Sequence, residues 1–203
     1  MKKIILLAVL LSVVEATFSQ EEKSQYIRKG LIRSMGTISP GILLKENVST
    51  ISIYGTLEGY ISDNISLRGD SYFYVKGKDN AGNDPFEFNH STFSGASYHF
   101  KTKNHFDPYF AVEPGISITQ TSVICPDVAI QGNYCSGATY TSVNPLISSA
   151  IGFNFYFQKL FHLFAEGRYI SGNYLSDASS PKSLNELRFS FGLGFNINVL
   201  KKK

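Results

Sequence analysis

Charged side chains recur on one face of several segments in which residue types alternate. They share that face with small and polar residues, and they are Glu58, Arg68, Asp70, Glu113, Glu166, Arg168 and Arg188. Charges enclosed in a protein must be paired and hydrogen-bonded to be tolerated. Such a set could form an ion-pair network that fills a narrow interior, or it could line a gated path for ions or protons. We favour the network, because the interiors of small β-barrels are filled by side chains.

Glu58 and Arg68 form the best-defined pair within this set. They are equally spaced about Asp63, which lies in a Ser-Asp-Asn stretch typical of a tight turn. A hairpin centred there places the two side chains directly opposite each other. The sequence therefore predicts a cross-strand ion pair between Glu58 and Arg68.

A hydrolytic site is the alternative chemistry, and His90 and Ser91, with Glu87 nearby, are its candidates. A serine, a histidine and an acid need a specific mutual geometry, and no Gly-x-Ser-x-Gly elbow is present to supply it. His105 and His162 lie near turns and are interpreted as interfacial residues. The sequence contains no phosphate-binding glycine loop and no metal-spaced cluster. We therefore predict no catalytic residues, no cofactor and no metal.

Cys125 and Cys135 are the only cysteines, and they lie in a long polar stretch. In an exported protein two such cysteines are expected to form a disulfide. Metal binding is the weaker alternative, because no histidine or further cysteine lies beside them.

The elements that must position these residues are β-strands. The clearest strand covers residues 185–199, where large apolar side chains alternate strictly with Arg, Ser, Gly and Asn. A soluble strand hides its apolar face, whereas a barrel in lipid turns that face outward and keeps small polar residues inside. A soluble secreted barrel or sandwich is the structural rival, but a lipocalin-like pocket would need apolar inward faces.

The last strand also carries a motif that resembles the terminal strand of bacterial outer-membrane barrels. Ser190, Gly192, Phe195 and Ile197 match its polar, glycine, aromatic and hydrophobic positions. The resemblance implies recognition by the barrel-assembly machinery. The chain differs from that pattern by continuing into the basic tail, residues 201–203.

Eight such segments are predicted. They cover about residues 34–45, 50–61, 65–76, 91–101, 108–119, 145–157, 161–170 and 185–199. A bulge is expected at Pro40, because proline lacks a ladder donor. Short and long connections alternate, which places the short ones and both termini at the periplasmic end. Over the mature sequence the chain resembles the small eight-stranded OmpA/OmpX-like barrels, which implies an all-β, antiparallel, up-and-down transmembrane barrel.

The first 19 residues have the basic start and short apolar run of a cleaved signal peptide, and they are too short for an anchor helix. The predicted organisation is a signal peptide (1–19), a periplasmic lead-in (20–32), the barrel (33–200) and a basic tail (201–203). The net charge is +3, and the tail alone accounts for it, so nothing argues for nucleic acid.

These features predict a non-enzymatic protein of the outer membrane of a Gram-negative bacterium. Its outer loops would bind an unknown extracellular ligand or protect the envelope, and its other partners would be membrane lipid and the assembly machinery. The alternatives are a lipid-modifying barrel enzyme of the acyl hydrolase or transferase type, and a narrow channel.

Overall fold

The computed structural model describes residues 29–100, 102, 105–121, 141–175 and 183–199. These residues form eight antiparallel strands in an up-and-down order, and pairing of the first strand with the last closes the barrel. The strands are β1 (Leu31–Leu43), β2 (Val48–Tyr60), β3 (Ile65–Lys78), β4 (Phe86–His99), β5 (Phe106–Thr121), β6 (Thr141–Tyr156), β7 (Phe161–Gly172) and β8 (Glu186–Asn198). The predicted all-β, eight-stranded, antiparallel, up-and-down barrel is confirmed. Within the described ranges, no helix has the length and apolar character needed to cross a membrane.

Most strands extend beyond the bounds that the sequence predicts. β1 begins at Leu31, inside the segment interpreted as the lead-in, and β4 begins at Phe86, inside the segment interpreted as a loop. Backbone pairing continues where polar residues and turn formers weaken the alternation, because a neighbouring strand supplies the hydrogen bonds. The signal peptide, most of the lead-in, the basic tail and the cysteine pair lie outside the described residues.

The outer wall is apolar, and the middle of the interior carries the charged side chains that the alternation predicts there. Phe191 is 71% exposed and Ile151 is 70% exposed, whereas Arg33, Glu58 and Glu113 are fully buried. Since successive side chains point to opposite faces of a strand, each strand contributes to both surfaces. This distribution is the one that a barrel in lipid requires.

Pro40 does not produce the expected bulge. The ladder between β1 and β2 continues without a shift through Pro40 and Ile51. The ladder between β1 and β8 is instead interrupted over residues 36–40. The hydroxyls of Thr37 and Ser39 donate across this gap to the carbonyl oxygens of Phe191 (2.7 Å) and Phe189 (3.0 Å). Side-chain donors thus join the two strands where the backbone ladder is missing.

The two ends of the barrel differ. At the end that carries residues 29–31 and 199, the connections are residues 61–64, 100–105 and 157–160; we call this the short-turn end. At the other end the connections are residues 44–47, 79–85, 122–140 and 173–185; we call this the long-loop end. The first hairpin is short even though it lies at the long-loop end.

Candidate functional site in the barrel interior

The structure places the charged residues singled out in the sequence inside the barrel. Their exposed fractions lie between 0% and 4%, and each takes part in at least one ion pair; they are Glu58, Arg68, Asp70, Glu113, Glu166, Arg168 and Arg188. Four further residues take part in these ion pairs and were not predicted from the sequence: Arg33, His99, Asp107 and Glu186. Together they occupy three levels along the barrel axis.

The basal cluster lies at the short-turn end and consists of Arg33, Glu58, His99 and Asp107. Arg33 donates from Nη1 to Asp107 Oδ2 (2.9 Å) and also binds the carboxylate of Glu58. His99 lies between the same two acids, with Nδ1 2.9 Å from Asp107 Oδ1 and Nε2 3.0 Å from Glu58 Oε1. Tyr60 adds a hydroxyl donor to Asp107 (3.0 Å). Two carboxylates therefore share one guanidinium and one imidazole.

The central cluster consists of Arg68, Asp70, Glu113, Glu166 and Arg168. Arg68 contacts Glu166 (2.8 Å) and Glu113 (3.1 Å). Arg168 contacts the same acids, at 2.7 Å to Glu113 and 3.1 Å to Glu166, and also binds Asp70. These residues come from β3, β5 and β7, and β3 and β7 lie on opposite sides of a barrel with this strand order. The cluster therefore spans the lumen.

The predicted ion pair between Glu58 and Arg68 is wrong, although the predicted register is right. The two residues are paired in the ladder between β2 and β3. The carboxylate of Glu58 nevertheless binds Arg33 and His99, while the guanidinium of Arg68 reaches the central acids. An arginine side chain is long enough to reach acids at several heights along the barrel axis. Its ion-pair partner therefore depends on strands that are distant in sequence. The alternation in β1 could have revealed Arg33, because it places odd-numbered residues inward.

The upper part of the lumen contains a charged pair and an apolar group. Glu186 and Arg188 are 2.7 Å apart, and the Arg188 guanidinium lies over the ring of Tyr72 at 4.3 Å. Above them polar side chains are buried at the long-loop end, among them Asn89, Thr119, Asn144 and Ser183. The same end contains a buried apolar and aromatic group: Leu43, Val48, Phe86, Leu146, Ile170, Tyr174 and Leu184. The inward face is therefore not polar along its whole length. The sequence interpretation assigned several of these residues to turns and loops, which hid their inward direction.

The hydrolytic candidates do not form a site. His90 faces the outer wall, where Nδ1 accepts a hydrogen bond from the backbone N–H of Tyr74 (3.0 Å). Ser91 faces the interior and accepts from Arg188 (2.9 Å). Adjacent residues in a strand point to opposite faces, so the two side chains cannot act on one substrate. Glu87 accepts a hydrogen bond from Gln120 (2.6 Å).

The remaining histidines have different environments. His105 is half-buried in the turn before β5. His162 is not interfacial, because its side chain is fully buried. Among the described residues no group of three or more His, Cys, Asp or Glu side chains could hold a metal ion.

The residues of the terminal-strand motif divide between the two faces of β8. Ser190 points inward and donates to the hydroxyl of Ser39 (2.9 Å). Phe195 points outward and packs edge-on against Phe161, with ring centroids 5.6 Å apart. Ile197 is also outward and 49% exposed, while Gly192 faces the interior. The outward aromatic and aliphatic positions remain accessible on the wall.

No family model matches the chain, and no curated protein matches it. Several solved structures are similar to it. OprG from Pseudomonas aeruginosa has a TM-score of 0.61 and 10% identity, and the match covers 86% of this chain and 99% of that chain. The N-terminal β-barrel domain of Pseudomonas aeruginosa OprF has a TM-score of 0.52 and 16% identity, over 84% of this chain and 99% of that chain. Ail of Yersinia pestis, in complex with the heparin analogue sucrose octasulfate, has a TM-score of 0.53 and 12% identity, over 83% of this chain and 99% of that chain.

These likenesses define the class of protein by its fold. The chain is a closed, eight-stranded barrel with the fold of the small outer-membrane barrels. At these identities the resemblance is one of fold alone. The function has to be argued from the interior and the loops of this chain.

Proposed function

We propose that this protein is a non-enzymatic, integral outer-membrane barrel whose closed lumen serves as a rigid support for its long loops. The observation that carries the proposal is the central cluster, in which Arg68 and Arg168 join acids from β3, β5 and β7 across the lumen. A pore needs a continuous water path, and this arrangement leaves its cross-section occupied. The interior therefore stabilises the barrel and leaves its external surfaces to carry the function.

The long-loop end is the surface available for binding. Its connections include residues 122–140 and 173–185, which are the longest between strands. We infer that this end is extracellular, that both termini are periplasmic, and that the long loops bind an extracellular ligand or shield the envelope. Ail, which has a similar fold, has been solved with a sulfated sugar analogue bound. A fold of this kind can therefore present a ligand-binding surface without an enzymatic site.

Planar-bilayer recording tests the closed lumen. The native barrel should show no large, steady conductance, because the charges in its interior are already paired with one another. A porin-like conductance would refute the closed lumen and favour the narrow-channel alternative.

Epitope insertion tests the orientation. An epitope placed after Ala81, in the connection between β3 and β4, should be labelled by antibody on intact cells. The same epitope placed after Lys159, in a short turn, should be labelled only after the cells are permeabilised. Labelling in the reverse order would overturn the proposed orientation, and recovery of the protein in the soluble fraction would overturn the membrane location.

A further inference from the structure

A β-bulge near the long-loop end of β3 changes the direction of two lysines. Ser52 pairs with Tyr74 and Ile51 pairs with Lys76, so Val75 has no partner in β2. Before the bulge the even-numbered residues of β3 point inward. After it, Lys76 lies beside Ile51 and Lys78 lies beside Ser49, on the outer wall. Strict alternation would place the ammonium groups of both lysines inside the barrel. The bulge places them outside.

The bulge is held in place by Asp84. Its carboxylate accepts hydrogen bonds from the backbone N–H groups of Gly77 (2.8 Å) and Phe86 (3.1 Å), and from the hydroxyl of Tyr74. A Cβ atom added to Gly77 would lie 3.2 Å from Asp84 Oδ1 and would clash with the Tyr74 hydroxyl, so a larger residue there would displace the side chains that bind the bulge. This side-chain support makes the bulge a defined feature of the fold, as bulges that redirect side chains commonly are.

The wall next to the two lysines is aromatic and apolar. Phe73 is 57% exposed and Val75 is 54% exposed. The ring of His90 lies between Phe73, at 5.7 Å, and Phe88, at 5.6 Å. Aromatic residues of transmembrane barrels concentrate where the hydrocarbon meets the headgroups. This aromatic group therefore places Lys76 and Lys78 at the height of the headgroups.

Neither lysine has an acidic partner among the described residues, because no ion pair in those ranges includes Lys76 or Lys78. The nearest acids along the chain accept hydrogen bonds from other groups. Asp79 accepts from the backbone N–H groups of Ala81 (2.9 Å) and Asn83 (2.8 Å). Asp84 binds the bulge, and Glu87 accepts from Gln120. Two unpaired cations on the outer wall attract the phosphate of an anionic lipid whose chains lie against Phe73 and Val75.

We propose that Lys76 and Lys78, above the aromatic shelf formed by Phe73, Phe88 and His90, are a binding site for the phosphate headgroup of an anionic membrane lipid. The proposal rests on the membrane location proposed above and adds a preferred lipid chemistry at one place on the wall. Each lysine near an anionic membrane surface raises the affinity for anionic lipid, relative to zwitterionic lipid, about fivefold. The full site should therefore prefer anionic over zwitterionic lipid by up to about 25-fold.

The chain contains no tryptophan, so a single Phe73→Trp substitution provides a local fluorescent reporter. The full-length reporter protein is folded into phosphatidylcholine vesicles that contain brominated phosphatidylglycerol or, in a parallel set, brominated phosphatidylcholine. Bromine quenches tryptophan on contact, so the two titrations give the relative affinity of each lipid for the wall beside the lysines. We expect quenching by the anionic lipid at severalfold lower mole fraction.

Lys76→Gln with Lys78→Gln should abolish the preference, and Lys76→Arg with Lys78→Arg should retain it. Lys159→Gln, at the short-turn end, is the matched control and should leave the preference unchanged. In the unsubstituted reporter, raising NaCl to about 1 M shortens the Debye length to roughly 3 Å and should weaken the preference. The salt titration uses only the unsubstituted reporter, so it tests the proposed site even if the glutamine variant does not fold.

Equal quenching by the two lipids, or a preference that survives the glutamine substitutions, would overturn the proposed site. Displacement of the anionic lipid by millimolar inorganic phosphate would assign the lysines to a soluble anion and would also overturn it. Folding in vesicles is monitored separately, by the shift in gel mobility on boiling. Failure of the protein to enter vesicles would count against the membrane location, whereas normal insertion without lipid preference would count only against this site.

Discussion

The partner of Glu58 can be identified by comparing two double-mutant cycles. The hairpin between β2 and β3 places Arg68 directly opposite Glu58, whereas the structure pairs Glu58 with Arg33 from β1. Arg33→Met and Arg68→Met each remove one guanidinium and retain a long side chain. Each is combined with Glu58→Gln, which removes the charge on the shared acid and preserves its size.

The expected magnitudes follow from burial and from the contacts that remain. Arg33 and Glu58 are fully buried, and removing one partner of a buried ion pair costs about 3–5 kcal/mol of unfolding free energy. Arg33→Met should fall in this range, because Asp107 loses the same guanidinium. His99 remains within 3.0 Å of Glu58 and limits the loss. Groups in direct contact couple by roughly 0.5–3 kcal/mol, so Glu58→Gln should recover part of the cost of Arg33→Met.

The assay is urea unfolding in phosphatidylcholine vesicles, with the folded fraction read from gel mobility without boiling. The free energy of unfolding is extrapolated linearly to zero urea. The coupling between Arg33 and Glu58 should exceed the coupling between Arg68 and Glu58. An equal or larger value for Arg68 would show that the pairing through the basal cluster is wrong and would restore the cross-strand pair.

Three further outcomes are expected. Phe195→Asp should reduce accumulation of the assembled barrel more than Asn196→Asp, because it places a charge on the lipid-facing wall at a cost of up to a few kcal/mol; equal accumulation would mean that the faces are reversed. Gly95→Ala should lower the free energy of unfolding by about 1–3 kcal/mol, because the added Cβ would press against the backbone of β5 and the side chain of Glu113. Gly55→Ala is its control, since a Cβ there meets nothing within 4 Å; similar losses in both would argue against tight interior packing. The two cysteines should form one intramolecular disulfide, and a free-thiol titre of two in the unfolded, non-reduced protein would contradict it.

The sequence predicted the barrel and the direction of its side chains, because both depend on local properties. Alternation with a period of two places Phe191 and Glu58 on opposite surfaces regardless of what the other strands do. The tight turn about Asp63 likewise fixed the register of β2 against β3, since a short hairpin leaves little freedom in pairing. An outer wall of apolar residues around a charged interior was therefore visible without coordinates.

Partner choice in the interior was decided by the tertiary structure. Arg33 and Asp107, in β1 and β5, meet only because the sheet closes and brings inward side chains from opposite walls to one level. The bulge at Val75 had no clear signal either, because it depends on Asp84 binding the backbone of Gly77 across a loop. Alternation gives the face of each residue but not its height relative to distant strands. The ion pairs of the lumen, and the outward direction of Lys76, therefore depend on closure and on a local register shift that sequence period alone does not encode.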